Sequence, residues 1–344
     1  MTPSVAAEAA DVLYALQAPL VASVLLALGA PLVARRCPPR AATLVLAACA
    51  VVSSAVTALV LVLHLVVLLA RLPVVAGLVG YDAERLAHHV PVPPAASALA
   101  VALLAAGVVR ALALSRRRRQ ALRAADDLCS RLGGPAGGVI VVDDGAEAFA
   151  LPSRGGRVVV SRALMDALPG PEQAALLAHE RAHLRDHHDV LRAATAWSAA
   201  LDPLLVGLPR SVRYASERWA DESAVAALGG DRPLVARAVA RAGLVRTSLA
   251  GRTAWRSVAL AGGEGDVVQR VRALLARRPG SGRPLVAAGA LCLAVLLAAG
   301  GHAVEDTAEV LQHVLSGGNE PDSGLATVDL VHEAGHRALE VLAR

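Results

Sequence analysis

Residues 170–193 read GPEQAALLAHERAHLRDHHDVLRA, and this stretch decides which fold the central part of the chain is expected to adopt. It predicts a helix, because Pro171 stands at an early helical position and is followed by an acidic residue. His179 and His183 are four residues apart and therefore project from one helix face, where they can bind one Zn²⁺ ion. Glu180 lies between them and can act as a base on a water molecule. The spacing thus predicts two metal ligands and a catalytic residue, although a charged helix on the protein surface could carry the same pattern.

A third metal ligand is expected from a second helical stretch, SVRYASERWADESAVAAL at residues 211–228, which ends at two glycines. Glu217 is the natural ligand in this stretch, and the alternative is a surface acid paired with Arg213. Glu217 and Asp221 are like charges one turn apart, which destabilises a helix unless a cation or a hydrogen bond compensates. A zinc ion bound by Glu217, with Asp221 accepting the N–H of a ligand histidine, would remove this repulsion.

Residues 137–168 precede the first helix and read GGVIVVDDGAEAFALPSRGGRVVVSRALMDAL. Short runs of β-prone residues alternate here with glycine-rich and proline-containing turns, which predicts a small antiparallel sheet. An exposed edge of this sheet could bind an extended peptide through main-chain hydrogen bonds. An ordinary structural hairpin is the alternative, and both interpretations remain open.

Three segments together resemble the catalytic core of membrane zinc peptidases of the BlaR/MecR antirepressor type: AFALPSRGGRVVVSRALMDAL, HERAH and ERWADESA. More distantly, they resemble the heat-shock and CAAX prenyl membrane proteases. The resemblance covers residues 146–228 and implies an α+β zincin-like (gluzincin) domain that hydrolyses peptide bonds with one Zn²⁺. The resemblance implies that His179, His183 and Glu217 are zinc ligands and that Glu180 is the catalytic residue. It also implies that Asp221 supports a ligand histidine.

Two further residues are candidates for contact with the oxyanion or the substrate, namely His187 and Arg270, although a structural role is open for each. The C-terminal part contains a second His-Glu-x-x-His motif, formed by His332, Glu333 and His336. We do not expect it to be the main catalytic site, because only eight residues follow it and no second acidic helix is available. It is either a coincidence on a surface helix or part of a metal-binding or sensing tail.

The chain is 55% hydrophobic, more than a water-soluble domain needs for its core, and it contains four long apolar runs. Each run is long enough to cross a bilayer, which predicts four transmembrane helices. The runs are Val12–Ala34, Ala41–Ala70, Ala95–Leu114 and Pro284–Ala303.

Arginine placement predicts the orientation, because basic loops stay in the cytoplasm. Arginines lie between spans one and two, after span three and before span four, so both termini are expected outside the cytoplasm of a multi-pass membrane protein. The net charge of +5 is explained by these loops, and direct nucleic-acid binding is not expected. The four predicted regions are a three-span region (1–114), a cytoplasmic zinc metallopeptidase domain (115–283), a fourth span (284–303) and a short extracytoplasmic tail (304–344).

The expected class is therefore a mainly α membrane protein with a cytoplasmic zinc endopeptidase domain. The resemblance implies signalling by regulated proteolysis of a cytoplasmic regulator, such as a winged-helix transcriptional repressor. Antibiotic sensing is not implied, because residues 304–344 leave no room for a penicillin-binding domain. Two alternatives are a housekeeping protease for membrane protein quality control and a catalytically idle receptor or scaffold.

Overall fold

The computed structural model describes residues 3–79, 92–133, 137–143, 145, 147–152, 155–249 and 264–276, with six single positions between 287 and 305. Helices dominate these residues. The predicted fourth span falls almost entirely outside the described residues, and so does the predicted tail with its second His-Glu-x-x-His motif.

The order of elements follows the order expected for a helical region, a small sheet and a helical domain. The helices are α1 Pro3–Arg36, α2 Pro39–Ala70, α3 Pro73–Val79, α4 Pro94–Leu132, α5 Arg162–Ala167, α6 Gly170–Arg185, α7 His188–Leu201, α8 Leu208–Ala227, α9 Arg232–Leu249 and α10 Glu264–Leu275. A short 3-10 helix, Pro203–Leu205, connects α7 to α8. The strands are β1 Val139–Val142, β2 Ala148–Leu151 and β3 Arg157–Ser161.

Two helices in the described part of the chain are long and apolar enough to cross a membrane: α2, and α4 over Pro94–Arg131. This finding rests on length and composition alone, so it is weak support for a membrane location. Helix α1 contains the predicted first span, and the four-span arrangement remains a prediction. Helix α4 does not end with the apolar run at Leu114 but continues to Leu132, because arginine is a good helix former and lets the helix extend through the basic run.

The three-stranded sheet is mixed, which corrects the expectation of a purely antiparallel sheet. Its order is β1-β3-β2, with β2 antiparallel and β1 parallel to β3. The difference arises because β2 and β3 form a hairpin, whereas β1 joins the far edge of β3 in the same direction. Strand β2 is thus at one edge of the sheet, and it packs against α6.

The connection from α7 to α8 is inserted between α1 and α2. Its Asp202 is fully buried and accepts hydrogen bonds from the hydroxyls of Ser23 and Thr57, at 2.6 and 3.1 Å. Ser23 also lies 2.6 Å from the hydroxyl of Ser53 on α2. Because a buried carboxylate is stable only when its oxygens are hydrogen-bonded, this cluster fixes the connection to the two helices. The α7–α8 connection therefore packs directly on α1 and α2, which contain the first two predicted spans.

A buried arginine on α8 provides a second junction. The guanidinium of Arg218 donates to the carbonyl oxygens of Ala34, Arg35 and Cys37, at 2.5, 3.1 and 3.4 Å. The last carbonyls of a helix have no partner within the helix, and a cation at this end is stabilising. Arg218 follows Glu217 directly in the sequence, so the end of α1 is attached to the helix that carries a predicted metal ligand.

Candidate active site

Helices α6 and α8 pack against each other and carry the five residues that the sequence singled out. The start of α6 is held by Gln173, whose side-chain amide donates to the carbonyls of Met165 and Leu168 at 2.9 Å each. Helix α8 ends before Gly229 and Gly230, which have positive φ angles of 69° and 92° that disfavour other residues. Small residues from both helices, Ala175 of α6 and Ala224 of α8, belong to one buried apolar cluster.

The side chains of His179, His183 and Glu217 converge on one point, with all three ligand atoms within 4.8 Å of one another. The two histidine Nε2 atoms are 3.1 Å apart. One carboxylate oxygen of Glu217 lies 3.4 Å from His179 Nε2, and the other lies 3.6 Å from His183 Nε2. Ligand atoms about 2.0–2.1 Å from a tetrahedral Zn²⁺ are separated by about 3.3 Å, so these distances fit the ion. The donor set, two imidazoles and a carboxylate, is also one that zinc accepts.

The outward-facing nitrogens of the two histidines have partners of their own. Nδ1 of His179 lies 2.9 Å from a carboxylate oxygen of Asp221, which is 1% exposed. Nδ1 of His183 lies 2.7 Å from Nδ1 of His188. Metal-binding histidines commonly use the second ring nitrogen in this way, because such a contact fixes the tautomer and the ring orientation.

Two arginines bracket Glu217. Arg192 lies 2.8 Å from one carboxylate oxygen and Arg270 lies 2.8 Å from the other. Arg270 also contacts Asp221. The alternative partner Arg213 is instead 3.8 Å from Asp266, and no ion pair with Glu217 joins it among the described residues. The like charges of Glu217 and Asp221 are thus compensated by arginine as well as by histidine.

The charges in this cluster shift several pKa values. Burial opposes a charge on His179, but its contacts with Asp221 and Glu217 outweigh burial and raise its pKa to about 9. Burial alone would raise the pKa values of Glu217 and Asp221, yet Arg270 and His179 lower both. Burial acts against Arg270 too, and the two carboxylates raise its pKa. In the metal-free site, the two carboxylates are therefore ionised and His179 is cationic near neutral pH.

The remaining groups have pKa values that are dominated by burial. Burial raises the pKa of Glu180, against the opposing charge of His179, and lowers that of His183 well below its usual value. Burial and the nearby Arg192 lower the pKa of His188 to about 4. A carboxyl group with a raised pKa is suited to taking up and releasing a proton near neutral pH.

A cavity of about 250 Å³ opens beside the cluster and is lined by His179, Glu180, His183, Glu217 and Arg270. Strand β2 forms one wall through residues 148–150, and apolar side chains of α9 and α10 form another. His187 does not line this cavity. It precedes α7 with a positive φ of 50°, where it turns the chain between α6 and α7.

Sequence reasoning missed the roles of His188 and Arg192, and it assigned Arg270 only as an oxyanion candidate. His188 is five residues after His183, a spacing that does not share a face on a continuous helix. The contact arises because α6 ends at Arg185 and the chain turns at His187. The charged pair Glu217 and Asp221 was a signal that cations lie nearby, but the sequence did not show which arginines supply them.

Residues 115–228 match the family model of peptidase family M48. The match covers a third of the chain and includes α6, α7 and α8, which hold the cluster. No curated protein and no solved structure matches the chain. The family match indicates a metallopeptidase, a class of hydrolase, and peptidases of this family depend on zinc.

Proposed function

We propose that this protein is a membrane-embedded zinc endopeptidase whose ion is bound by His179, His183 and Glu217. The observation that carries the proposal is the convergence of these three ligand atoms in a cavity that Glu180 also lines. A catalytic zinc site of this kind keeps one position open for water or substrate. An idle receptor would need no buried acid between its two histidine ligands.

Bound zinc would supply Lewis-acid activation of water and of the scissile carbonyl group. The residues of the chain supply the remaining chemistry. Glu180 takes a proton from the attacking water and passes it to the nitrogen of the departing amine. Asp221 contacts Nδ1 of His179 and so holds the imidazole ring, and Arg270 holds Asp221 and Glu217 in place. His179, Glu217, Asp221 and Arg270 thus form one ion-paired unit, and Glu180 lines the cavity beside it.

The cavity walls favour an extended peptide as substrate. Strand β2 is an edge of the sheet as described, and residues 148–150 face the same cavity as Glu180. Backbone groups of an edge strand can pair with an added strand, which would place a scissile bond alongside the catalytic residues. The apolar side chains of α9 and α10 would contact the side chains of such a peptide.

The proposed biological role is regulated proteolysis of a cytoplasmic regulator, such as a winged-helix repressor. It is supported by the resemblance to the antirepressor type and by the two apolar helices that flank the peptidase region on its N-terminal side. The proposed topology has four spans, with the peptidase domain in the cytoplasm. Reporter fusions after Arg119 and after Arg344 should report opposite sides of the membrane, cytoplasm for the first.

The enzymatic proposal is tested with full-length protein purified in detergent. Wild-type protein should bind about one zinc and cleave members of a fluorogenic peptide library. Glu180→Gln should retain zinc and lose cleavage, whereas Glu217→Ala should lose zinc, and the exposed Asp166→Asn should behave like wild type. Full zinc occupancy in Glu217→Ala would remove Glu217 from the ligand set, and cleavage by Glu180→Gln would remove Glu180 as the base.

The substrate is then sought by trapping. Glu180→Gln protein expressed in cells should retain uncleaved substrate, which is identified by crosslinking and mass spectrometry. Enrichment of one DNA-binding regulator supports regulated proteolysis. Enrichment of many unrelated misfolded membrane proteins supports the rival function, membrane protein quality control.

A further inference from the structure

His188 makes the closest contact with the outer nitrogen of His183. The two Nδ1 atoms are 2.7 Å apart, and the rings meet edge to face with centroids 4.8 Å apart. Such a distance requires one proton between the two nitrogens, because two bare nitrogens or two N–H groups would repel each other. One histidine therefore donates and the other accepts.

The direction of this hydrogen bond follows from the other nitrogen of His183. Its Nε2 faces the cluster formed with His179 and Glu217 and must be unprotonated to bind a metal. A neutral His183 then carries its proton on Nδ1 and donates it to Nδ1 of His188. His188 in turn carries its own proton on Nε2.

The surroundings of His188 are almost free of polar partners. The residue is 1% exposed, and its Nε2 atom has no hydrogen-bond partner in the part of the chain that the structure describes. Its ring packs on the indole of Trp219, with centroids 4.7 Å apart. The guanidinium of Arg40 lies 5.7 Å from the centroid of the same indole. The contact with His183 is therefore the one hydrogen bond of the His188 ring among the described residues.

We propose that His188 is a positioning residue that holds His183 in its Nδ1-protonated tautomer, while Trp219 holds the His188 ring in place. This inference rests on the proposed zinc site. His188 is not one of the three residues whose ligand atoms converge, and its Nδ1 is engaged by the contact with His183. Its contribution reaches the metal only through His183.

Loss of the acceptor nitrogen should weaken zinc binding without removing a ligand. Partners of ligand histidines typically contribute about 10- to 100-fold to metal affinity. His188→Phe keeps a ring against Trp219 but removes the acceptor. His188→Asn keeps a side-chain acceptor at a similar distance from the backbone. The neighbouring His187→Asn is the matched control, since His187 does not line the cavity.

Zinc affinity is measured by chelator competition on full-length protein in detergent. His188→Phe should bind zinc about 10- to 100-fold more weakly, whereas His188→Asn and His187→Asn should stay within about threefold of wild type. Unchanged affinity in His188→Phe overturns the inference, as does an equal loss in His188→Asn, which would show that packing alone matters. Failure of wild-type protein to bind zinc would instead refute the proposed function.

A second measurement covers the case in which His188→Phe does not fold. Nitrogen-15 NMR of histidine-labelled wild-type protein loaded with zinc distinguishes protonated from bare ring nitrogens. The expected result is a protonated Nδ1 on His183 and a bare Nδ1 on His188. The opposite assignment would overturn the inference.

Discussion

Arg270 binds Asp221 in a bidentate manner, with its Nη2 and Nε atoms 2.6 and 2.8 Å from the two carboxylate oxygens. Its third nitrogen lies 2.8 Å from Glu217. Because both carboxylates are ionised in the metal-free site, Arg270 supplies one of the positive charges that compensate them, together with Arg192 and His179. This geometry favours a role in holding the acids over a role at the oxyanion.

Arg270→Gln should therefore destabilise the protein more strongly without zinc than with it. Breaking a buried ion pair costs about 3–5 kcal/mol, because the remaining charges are left uncompensated. Bound zinc would compensate Glu217 and reduce this loss. Denaturant unfolding in detergent, with and without zinc, measures the difference, and the exposed Arg272→Gln is the control. A fall in kcat without any loss of stability would instead assign Arg270 to the oxyanion.

The raised pKa of His179 predicts a pH dependence for the metal-free protein. Its pKa is about 9 in the folded protein, above the ordinary value of 6.5, so protonation stabilises the folded state. This contribution is fully present below pH 6.5 and is lost as the pH rises toward 9. Its size is on the order of 3 kcal/mol, from 1.36 kcal/mol for each pKa unit.

The measurement compares wild type with His179→Gln, both metal-free, across pH 6 to 10. The difference in unfolding free energy between them should shrink as the pH rises through this window. Zinc-loaded wild type should not show this decline, because a metal-bound imidazole is not protonated. A difference that is constant with pH would show that His179 is neutral in the folded protein.

The helix pair and its acids could be predicted from the sequence, whereas their connections to the rest of the molecule could not. Pro171 and the two glycines after residue 228 indicate where α6 and α8 begin and end, and the four-residue spacing places His179 and His183 on one face. The contacts of Arg270 and Arg192 with Glu217 depend on packing between separate helices, which no local pattern encodes. The mixed sheet depends likewise on which edge of β3 receives β1.

Asp202 illustrates the same limit and gives a further prediction. No local sequence pattern marks Asp202 as a core residue, yet it is buried beside Ser23 and Thr57 and also accepts a hydrogen bond from the backbone N–H of Leu204. Asp202→Ala leaves buried hydroxyls without their acceptor, which costs about 2–4 kcal/mol. Thermal unfolding in detergent should show this loss, and the exposed Asp166→Ala should not. Equal stability of the two variants would mean that the α7–α8 connection is not held by this cluster.

The last prediction separates the two His-Glu-x-x-His motifs, which look alike in a pattern search. The described structure provides the first motif with a third ligand atom on Glu217, an outer partner for each histidine, and a cavity beside Glu180. The second motif, at His332 and His336, lies outside the described residues. Catalysis should therefore depend on the first motif alone.

Changing His332 and His336 together to alanine should leave the proteolytic rate of purified protein within a few-fold of wild type. The reason is that the proposed topology places this tail across the membrane from the peptidase domain, where it cannot complete the zinc site. Any effect of the double variant should appear in cells, as a change in when cleavage occurs. The rate is measured on the same peptide in detergent and on a trapped substrate in cells, with Glu180→Gln as the inactive reference. A double variant as inactive as Glu180→Gln in both settings would show that either the assigned site or the proposed topology is wrong.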